Sequence, residues 1–211
     1  MLGSSDVTMF DMARVYGAFA NQGKLTEIVG ITKILDREGN EFYKAPTIQE
    51  RTKEAISPQI AFLMTQGMRA VLAMGTGYNS SHLSSLAAGK TGTSNNSTDN
   101  WFCGYTSNLT TIVWVGTDEH AEIMGDTTGG KIALPIWDKF MSKVLAIRKT
   151  DPFSIPEGIV ATQIHPKYGN RSPQGVRMYF IKGQEPPEGG SALEEISNVL
   201  QTGGYRDVFN H

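Results

Sequence analysis

The chain has 211 residues, 39% of them hydrophobic, which is enough for one substantial core with an appendage and far from a disordered composition. Its 19 Lys and Arg against 21 Asp and Glu give a net charge of −2 without long blocks of either sign, which argues against a nucleic-acid-binding protein. No run reaches the roughly 20 apolar residues of a membrane span, and the first residues lack the pattern of a secretory leader, so we expect neither. The single Cys103 excludes an internal disulfide.

The first predicted element is a helix in "SSDVTMFDMARVYGAFANQGK". Thr8 is a suitable N-cap with Asp11 three residues later, and Gly23 supplies the end. Apolar residues recur on one face: Met9, Met12, Ala13, Tyr16, Phe19 and Ala20. The following "EIVGITKILDREGNEFYKA" has β-branched residues on both sides of the turn "DREGN", which predicts a peripheral hairpin. Because "LGSSDVT" resembles the interior of a longer chain, we expect Met1 to be the start of a fragment.

A second helix and a set of strands are predicted in the middle of the chain. In "SPQIAFLMTQGMRAVLAMGTG", Ser57 is the N-cap, Pro58 takes the first helical position, and Gly75 and Gly77 end the helix. Three strand candidates follow, joined by polar loops too short for a crossover helix: "SLAAGKTGTS", "NWFCGYT" and "LTTIVWVGTD". The sequence therefore predicts an antiparallel meander.

The last helix and the C-terminal segment complete a mixed α+β pattern, an antiparallel sheet flanked by helices. "GGKIALPIWDKFMSKVLA" predicts a helix that starts or is interrupted near Pro135, with Ile136, Phe140 and Val144 at four-residue intervals on its apolar face. After Asp151 the composition shifts to proline, glycine and short strands. We therefore predict two parts, residues 1–150 and a C-terminal extension, residues 151–211.

The cluster "AAGKTGTSNN" has the chemistry of an anion site. The Lys90 ammonium attracts an anion, Thr91 and Thr93 offer directed hydrogen bonds, and Gly92 lets a ligand approach the backbone. On a strand, Lys90 and Gly92 face one way and Thr91 and Thr93 the other, so these groups can converge only at a sheet edge. Such an edge can also bind an extended peptide as an added strand.

The triplet alone is weak because Lys-[Ser/Thr]-Gly arises by chance in about one chain in ten of this size. A P-loop is disfavoured, since Ser84 stands where the phosphate-cradling pattern needs glycine and no apolar strand precedes it.

Several segments together are more specific than the triplet. "LGSSDVT", "DMARVYGAFANQG", "GTGY", "AAGKTGTSNN", "DNWFCGYT", "TIVWVG" and "ALPIWDKFM" resemble, in order and spacing, the C-terminal half of the transpeptidase domain of bifunctional class A penicillin-binding proteins. The resemblance extends from residue 2 to about residue 145, and "PEGIV" and "YFIKGQEP" are similar to the segment after that domain in the family.

The resemblance implies a penicillin-binding transpeptidase or serine β-lactamase-like fold, here incomplete, with the Lys-Thr-Gly strand as one wall of the cleft. It implies a peptidoglycan stem peptide ending in D-Ala-D-Ala, or a β-lactam, as ligand, no cofactor, and a parent enzyme on the periplasmic side of the bacterial inner membrane. By position, Lys90 would stabilise the site electrostatically, Thr91 and Thr93 would bind the terminal carboxylate, and Gly92 would admit the substrate backbone. The Thr93 N–H would be one donor of the oxyanion hole.

The nucleophile that the family requires is missing. No serine of the chain has a lysine three residues later, and Ser94-Asn95-Asn96 follows the Lys-Thr-Gly instead of preceding it, so a loop is the simpler interpretation. One hypothesis is therefore a transpeptidase fragment without turnover of its own, which would self-associate or pair with the missing N-terminal half. The alternative is a non-catalytic module that binds a peptide carboxylate.

Other chemistry-bearing residues have simpler structural interpretations. His82, His120, His165 and His211 are scattered without metal-ligand spacing, so no metal site is predicted. Cys103 is expected to be buried, and Asp99 to cap a loop by accepting hydrogen bonds from backbone N–H groups. The large aromatic residues are expected in the core: Trp101, Phe102, Trp114 and Trp137.

Overall fold

The structure, a computed structural model, describes residues 6–119, 121–123 and 127–188. Within these ranges it contains three α-helices, nine strands and two short 3-10 segments. The chain divides into two compact units, Met1–Ile155 and Pro156–His211. The assignment of 1–150 and 151–211 as separate domains stays a prediction.

Helix α1 spans Met9–Ala20 and begins where the sequence predicts. Thr8 Oγ1 accepts a hydrogen bond from the Asp11 N–H, and the Asp11 carboxylate accepts one from the Thr8 N–H, each at 3.1 Å. This capping box provides partners for two N–H groups at the helix end and lowers the pKa of Asp11. Of the predicted apolar face, Tyr16 and Phe19 pack against the core, whereas Met9 is exposed.

Two small antiparallel sheets follow on the surface. Their strands are β1 (Lys24–Thr26), β2 (Lys33–Leu35), β3 (Glu41–Lys44) and β4 (Thr52–Glu54). The pair β2–β3 confirms the predicted peripheral hairpin, because Asp36 Oδ1 accepts hydrogen bonds from the N–H groups of Glu38 and Asn40 in its turn and every residue of both strands is exposed. The pairing of β1 with β4 was not predicted.

Helix α2 spans Pro58–Met74 and confirms the predicted caps. Ser57 Oγ accepts a hydrogen bond from the Ile60 N–H at 3.3 Å, Pro58 takes the first position, and Gly75 follows the last turn. One side of the helix is buried, through Ala61, Phe62, Thr65, Met68 and Leu72.

The predicted meander is confirmed as a three-stranded antiparallel sheet. Its strands β5 (Ala88–Thr93), β6 (Asp99–Tyr105) and β7 (Thr110–Gly116) lie in chain order. Within the described residues, β5 is therefore an outer strand that pairs with β6 alone.

Helix α3 spans Ala133–Ile147, with Pro135 in its first turn, where a missing N–H has no intrahelical partner to lose. The predicted apolar face is wrong. Ile136 and Phe140 are 51% and 47% exposed and Val144 is only partly buried. The side that packs on the sheet carries Ala133, Leu134, Trp137 and Met141. The helix bears two apolar stripes, and periodicity alone could not indicate which of them would find a partner.

Helices cover both faces of the sheet. On one face Phe102 packs against Trp137 with ring centroids 4.7 Å apart, and on the other Tyr105 packs with Met68 and donates or accepts a 3.0 Å hydrogen bond with the buried Thr65 hydroxyl. The expectation of four core aromatics holds for Phe102 and Trp137, which are fully buried. Trp101 and Trp114 are only partly buried, so that expectation was wrong for them.

The second unit contains the strands predicted after residue 151. Strands β8 (Ile159–Ile164) and β9 (Val176–Ile181) form an antiparallel pair in which Ile159 lies opposite Ile181. None of the helices in the described ranges has the length and apolarity needed to cross a bilayer.

Candidate functional site

Strand β5 passes from the interior to the surface within six residues. Ala88 and Gly89 are buried, Thr91 and Gly92 are partly buried, and Lys90 and Thr93 are exposed. A Cβ on Gly89 would lie 2.7 Å from the Phe102 ring, which shows how tightly the first half of the strand is packed. The second half carries the predicted site residues at the surface, so the cluster is not sealed in the core.

The backbone of Thr91 and Thr93 faces the open edge of the sheet. Ser94 N–H donates to the Asp99 carbonyl at 3.0 Å, which makes Ser94 and Asp99 a hydrogen-bonded pair of the β5–β6 ladder. Hydrogen-bonded and non-hydrogen-bonded pairs alternate in an antiparallel ladder. The register therefore turns the N–H and C=O of Thr91 and Thr93 away from β6.

Lys90 reaches this edge from the opposite face of the strand. Its Nζ donates to the Thr91 carbonyl at 2.9 Å and lies 3.3 Å from Thr91 Oγ1. Thr91 Oγ1 also shares a 2.8 Å hydrogen bond with Thr76 Oγ1, from the loop after α2. The Lys90 ammonium and the two hydroxyls thus lie together. When Thr76 donates to Thr91 Oγ1, the Thr91 hydrogen and the remaining ammonium hydrogens are free to point towards an anion.

Thr93 and Gly92 are positioned by neighbouring segments. Thr93 Oγ1 accepts a 3.0 Å hydrogen bond from the backbone N–H of Gly129, in the segment before α3. Gly92 lies opposite Trp101, and a Cβ at Gly92 would lie 3.2 Å from Trp101 Cβ. This contact is tight, so glycine keeps the strand close to the tryptophan.

The loop after β5 is fixed by hydrogen bonds around Asp99. The Asp99 carboxylate accepts hydrogen bonds from Trp114 Nε1 at 2.9 Å and from the hydroxyls of Ser94 and Thr98. These three donors are side chains, and Ser94 Oγ in turn accepts a hydrogen bond from the Asp99 N–H at 2.8 Å. The segment Asn95–Ser97 is a 3-10 turn, which confirms its interpretation as a loop between strands.

Cys103 lies opposite Lys90 in the ladder but is buried, which argues against a role as nucleophile. It is 2% exposed, as expected, and burial raises the pKa of its thiol to about 12. Since the thiolate is the reactive form of cysteine, this group stays inert near neutral pH.

Comparison with known proteins shows the family of this chain. Residues 2–142 match the family model of the penicillin binding protein transpeptidase domain. The chain belongs to the penicillin-binding protein transpeptidase family. The predicted α+β transpeptidase fold is confirmed by a crystal structure of penicillin-binding protein 1A from Haemophilus influenzae, with a TM-score of 0.79 and 29% identity over 90% of this chain and 34% of that one.

Two curated relatives are also named penicillin-binding protein 1A. The chain is 32% identical to penicillin-binding protein 1A of Aquifex aeolicus, a match that covers 88% of this chain and 26% of the relative. It is 30% identical to penicillin-binding protein 1A of Rickettsia conorii, over 100% of this chain and 29% of the relative. The chain therefore corresponds to part of such a transpeptidase, and spans between a quarter and a third of the length of these relatives.

The surface pocket formed by α1 is separate from the β5 edge. A cavity of about 320 Å³ lies between α1 and the segment after β1, and its lining includes Arg14, Glu27 and Arg51 but no residue of β5. Since β5 pairs only with β6 in the described ranges, its other edge is open. No group of three His, Cys, Asp or Glu side chains in the described ranges could hold a metal ion, and His120 and His211 lie outside those ranges.

Two residues of this site were not found from the sequence. Thr76 and Gly129 contact the Lys-Thr-Gly segment from positions 15 and 36 residues away from their partners. Gly75 and Gly77 beside Thr76 indicated only the end of α2, and neither pairing can be read from the local sequence pattern.

Proposed function

We propose that the chain supplies the Lys-Thr-Gly wall of a peptidoglycan D,D-transpeptidase that crosslinks stem peptides through an acyl-serine intermediate and binds β-lactams. The observation that carries the proposal is the exposed Lys90 ammonium 2.9 Å from the Thr91 carbonyl, at an open strand edge in a member of the transpeptidase family. The parent enzyme would act on the periplasmic side of the bacterial inner membrane.

Lys90, Thr91 and Thr93 hold the terminal carboxylate of a peptide ending in D-Ala-D-Ala. The ammonium supplies the charge, and the hydroxyls supply hydrogen bonds of the charge-assisted kind, which are shorter and stronger than neutral ones. Gly92 lets an extended peptide lie along β5, where outward N–H and C=O groups can pair with it as with an added strand.

The Thr93 N–H serves as one donor to the oxyanion that forms when the scissile carbonyl is attacked. The register directs this N–H away from β6 and towards the edge. One such donor is typically worth about 3 kcal/mol in the transition state. Lys90 would add electrostatic stabilisation to the same charge.

The covalent step requires a serine that these residues do not provide. In the whole enzyme the serine oxygen attacks the carbonyl of the penultimate D-alanine and its proton passes to a base. The C–N bond then breaks as that proton is given to the nitrogen of the terminal D-alanine, which departs as the amine. An acceptor amine then attacks the acyl-serine and releases the serine. Since no serine of the 211 residues precedes a lysine by three positions, the chain alone binds but does not turn over.

A pair of peptides tests this proposal on the 211-residue chain. One ends in D-Ala-D-Ala with a free carboxylate, and the other carries a C-terminal amide. We expect the free acid to bind better, with NMR shift changes centred on residues 90–93. Lys90→Ala should weaken the acid about tenfold or more, since hydrogen bonds to charged groups contribute about 1.5–3 kcal/mol. Lys139→Ala, on an exposed part of α3, is the matched control.

Equal binding of the acid and the amide, or no effect of Lys90→Ala, would refute the carboxylate site.

Mass spectrometry after incubation with benzylpenicillin tests the missing nucleophile separately. We expect the mass of the chain to be unchanged. A stable covalent adduct would show that a serine within the 211 residues is competent, and would exclude the alternative of a non-catalytic carboxylate-binding module.

A further inference from the structure

The segment before α3 fixes the Thr93 hydroxyl, and the geometry points to Gly129 as a positioning residue of the carboxylate site. This inference rests on the proposed function. Gly129 is buried, and its N–H donates to Thr93 Oγ1 at 3.0 Å, while Thr93 itself is exposed at the end of β5. Gly129 would act on a ligand only through Thr93.

The Gly129 N–H determines how the Thr93 hydroxyl can be used. A threonine hydroxyl has one hydrogen to donate and two lone pairs to accept with. Because one lone pair is directed at the Gly129 N–H, the oxygen is held in place and its own hydrogen remains for an acceptor on the open side. A carboxylate is such an acceptor, since its oxygens only accept when ionised.

Only glycine permits this contact. A Cβ at Gly129 would lie 2.3 Å from the Trp101 carbonyl oxygen and 2.4 Å from the Gly92 carbonyl oxygen. Both oxygens belong to the ladder pair Gly92–Trp101 and cannot move without disturbing the β5–β6 pairing. A side chain at Gly129 would therefore push the segment away from the sheet and lengthen its hydrogen bond to Thr93.

The segment is anchored on both sides of Gly129. Ser97 Oγ donates to the Thr127 carbonyl at 2.6 Å, and the Leu134 N–H donates to the Gly129 carbonyl at 2.9 Å. Leu134 is 1% exposed in the core beneath α3. The placement of Thr93 is thus tied to the packing of α3 on the sheet.

The first experiment needs no ligand. With the threonine methyl groups labelled with carbon-13, three-bond couplings report whether Thr93 occupies one χ1 rotamer. We expect a single rotamer in the wild type, rotamer averaging in Gly129→Ala, and no change in Gly30→Ala, where a Cβ would meet nothing within 4 Å. An unchanged single rotamer in a folded Gly129→Ala protein would overturn the inference.

The second experiment is a double-mutant cycle with the free-acid and amide peptides. Thr93→Val and Gly129→Ala should each weaken the free acid about tenfold and leave the amide nearly unaffected, because a hydrogen bond to a charged group is lost. In the Thr93→Val background, Gly129→Ala should add little, since its route to the ligand is already gone. The same loss in both backgrounds would show a general structural role and overturn the inference.

Ser97→Ala provides a milder change if Gly129→Ala does not fold. It removes one anchor of the segment and should cause partial averaging of the Thr93 rotamer with a smaller loss of free-acid affinity. If Thr93→Val binds the free acid as well as the wild type does, the carboxylate site is refuted, even where Gly129→Ala frees the Thr93 rotamer. If Thr93→Val weakens binding and neither Gly129→Ala nor Ser97→Ala does, the carboxylate site stands and the role of Gly129 is refuted.

Discussion

The substitution Gly104→Ala should destabilise the sheet beneath the site. A Cβ at Gly104 would lie 2.5 Å from Trp137 Cε2 and 2.6 Å from Cζ2. Ordinary carbon contacts are about 3.5–4.0 Å, so the indole would have to retreat by about 1 Å. Trp137 is 0% exposed and packs on Phe102 at 4.7 Å, which leaves no room for that movement. We expect a loss of about 2–3 kcal/mol, the upper range for overpacking, from a total stability of about 5–15 kcal/mol.

Urea denaturation followed by far-UV circular dichroism measures this loss without relying on tryptophan emission. Gly67→Ala is the matched control, because Gly67 is exposed in α2 and a Cβ there would meet nothing within 4 Å. Alanine is a better helix former than glycine, so this control should gain up to about 1 kcal/mol.

A second substitution tests whether Trp137 is the cause. Trp137→Phe shortens the ring and removes an indole N–H that is buried with no hydrogen-bond partner in the described ranges. The double variant with Gly104→Ala should be more stable than the sum of the single effects predicts, by about 1 kcal/mol or more. Additivity within about 0.5 kcal/mol would refute the proposed clash.

Three further predictions concern pH, capping and association. Burial raises the pKa of Cys103 from 9.0 to about 12, so the folded thiol stays protonated where the unfolded one ionises. The free energy of unfolding should therefore fall as pH rises from about 9 towards 12. Cys103→Ala should reduce this fall, as measured by urea denaturation midpoints. Ser57→Ala removes the N-cap of α2 and should cost about 1 kcal/mol in the same assay, whereas the exposed Ser85→Ala should be neutral. Ile136 and Phe140 are about half exposed, so we expect the chain to self-associate. Light scattering should detect this association, and replacement of both residues by serine should favour the monomer. A monomeric wild type would contradict the prediction.

Local signals explain which parts of the fold the sequence could predict. Thr8 with Asp11, and Ser57 with Pro58, determine helix starts through contacts within three residues, and both were predicted correctly. The meander was predictable because the polar loops are too short for a crossover. These features need no knowledge of distant partners.

The features that were missed depend on tertiary pairing. The buried stripe of α3 was misassigned because Ile136 and Trp137 are both apolar, and only the contact of Trp137 with Phe102 on β6 decides between them. The pairing of β1 with β4 joins segments on either side of a hairpin, with little hydrophobic pattern to indicate it. The hydrogen bond from Gly129 to Thr93 likewise depends on where α3 docks.

The two halves of strand β5 differ in burial. Its first two residues are buried, and a Cβ on Gly89 would clash with Phe102, so this half anchors the strand in the core. Lys90 is exposed, so changes there should alter ligand binding more than folding, whereas loss of the Thr93 hydroxyl would also remove the acceptor of the buried Gly129 N–H. A rigid anchor is what keeps an exposed lysine and its neighbouring hydroxyls within hydrogen-bond distance of one another before any ligand arrives. The ligand affinity of the proposed site should therefore depend on the packing of Ala88 and Gly89, which directly precede Lys90 in the strand.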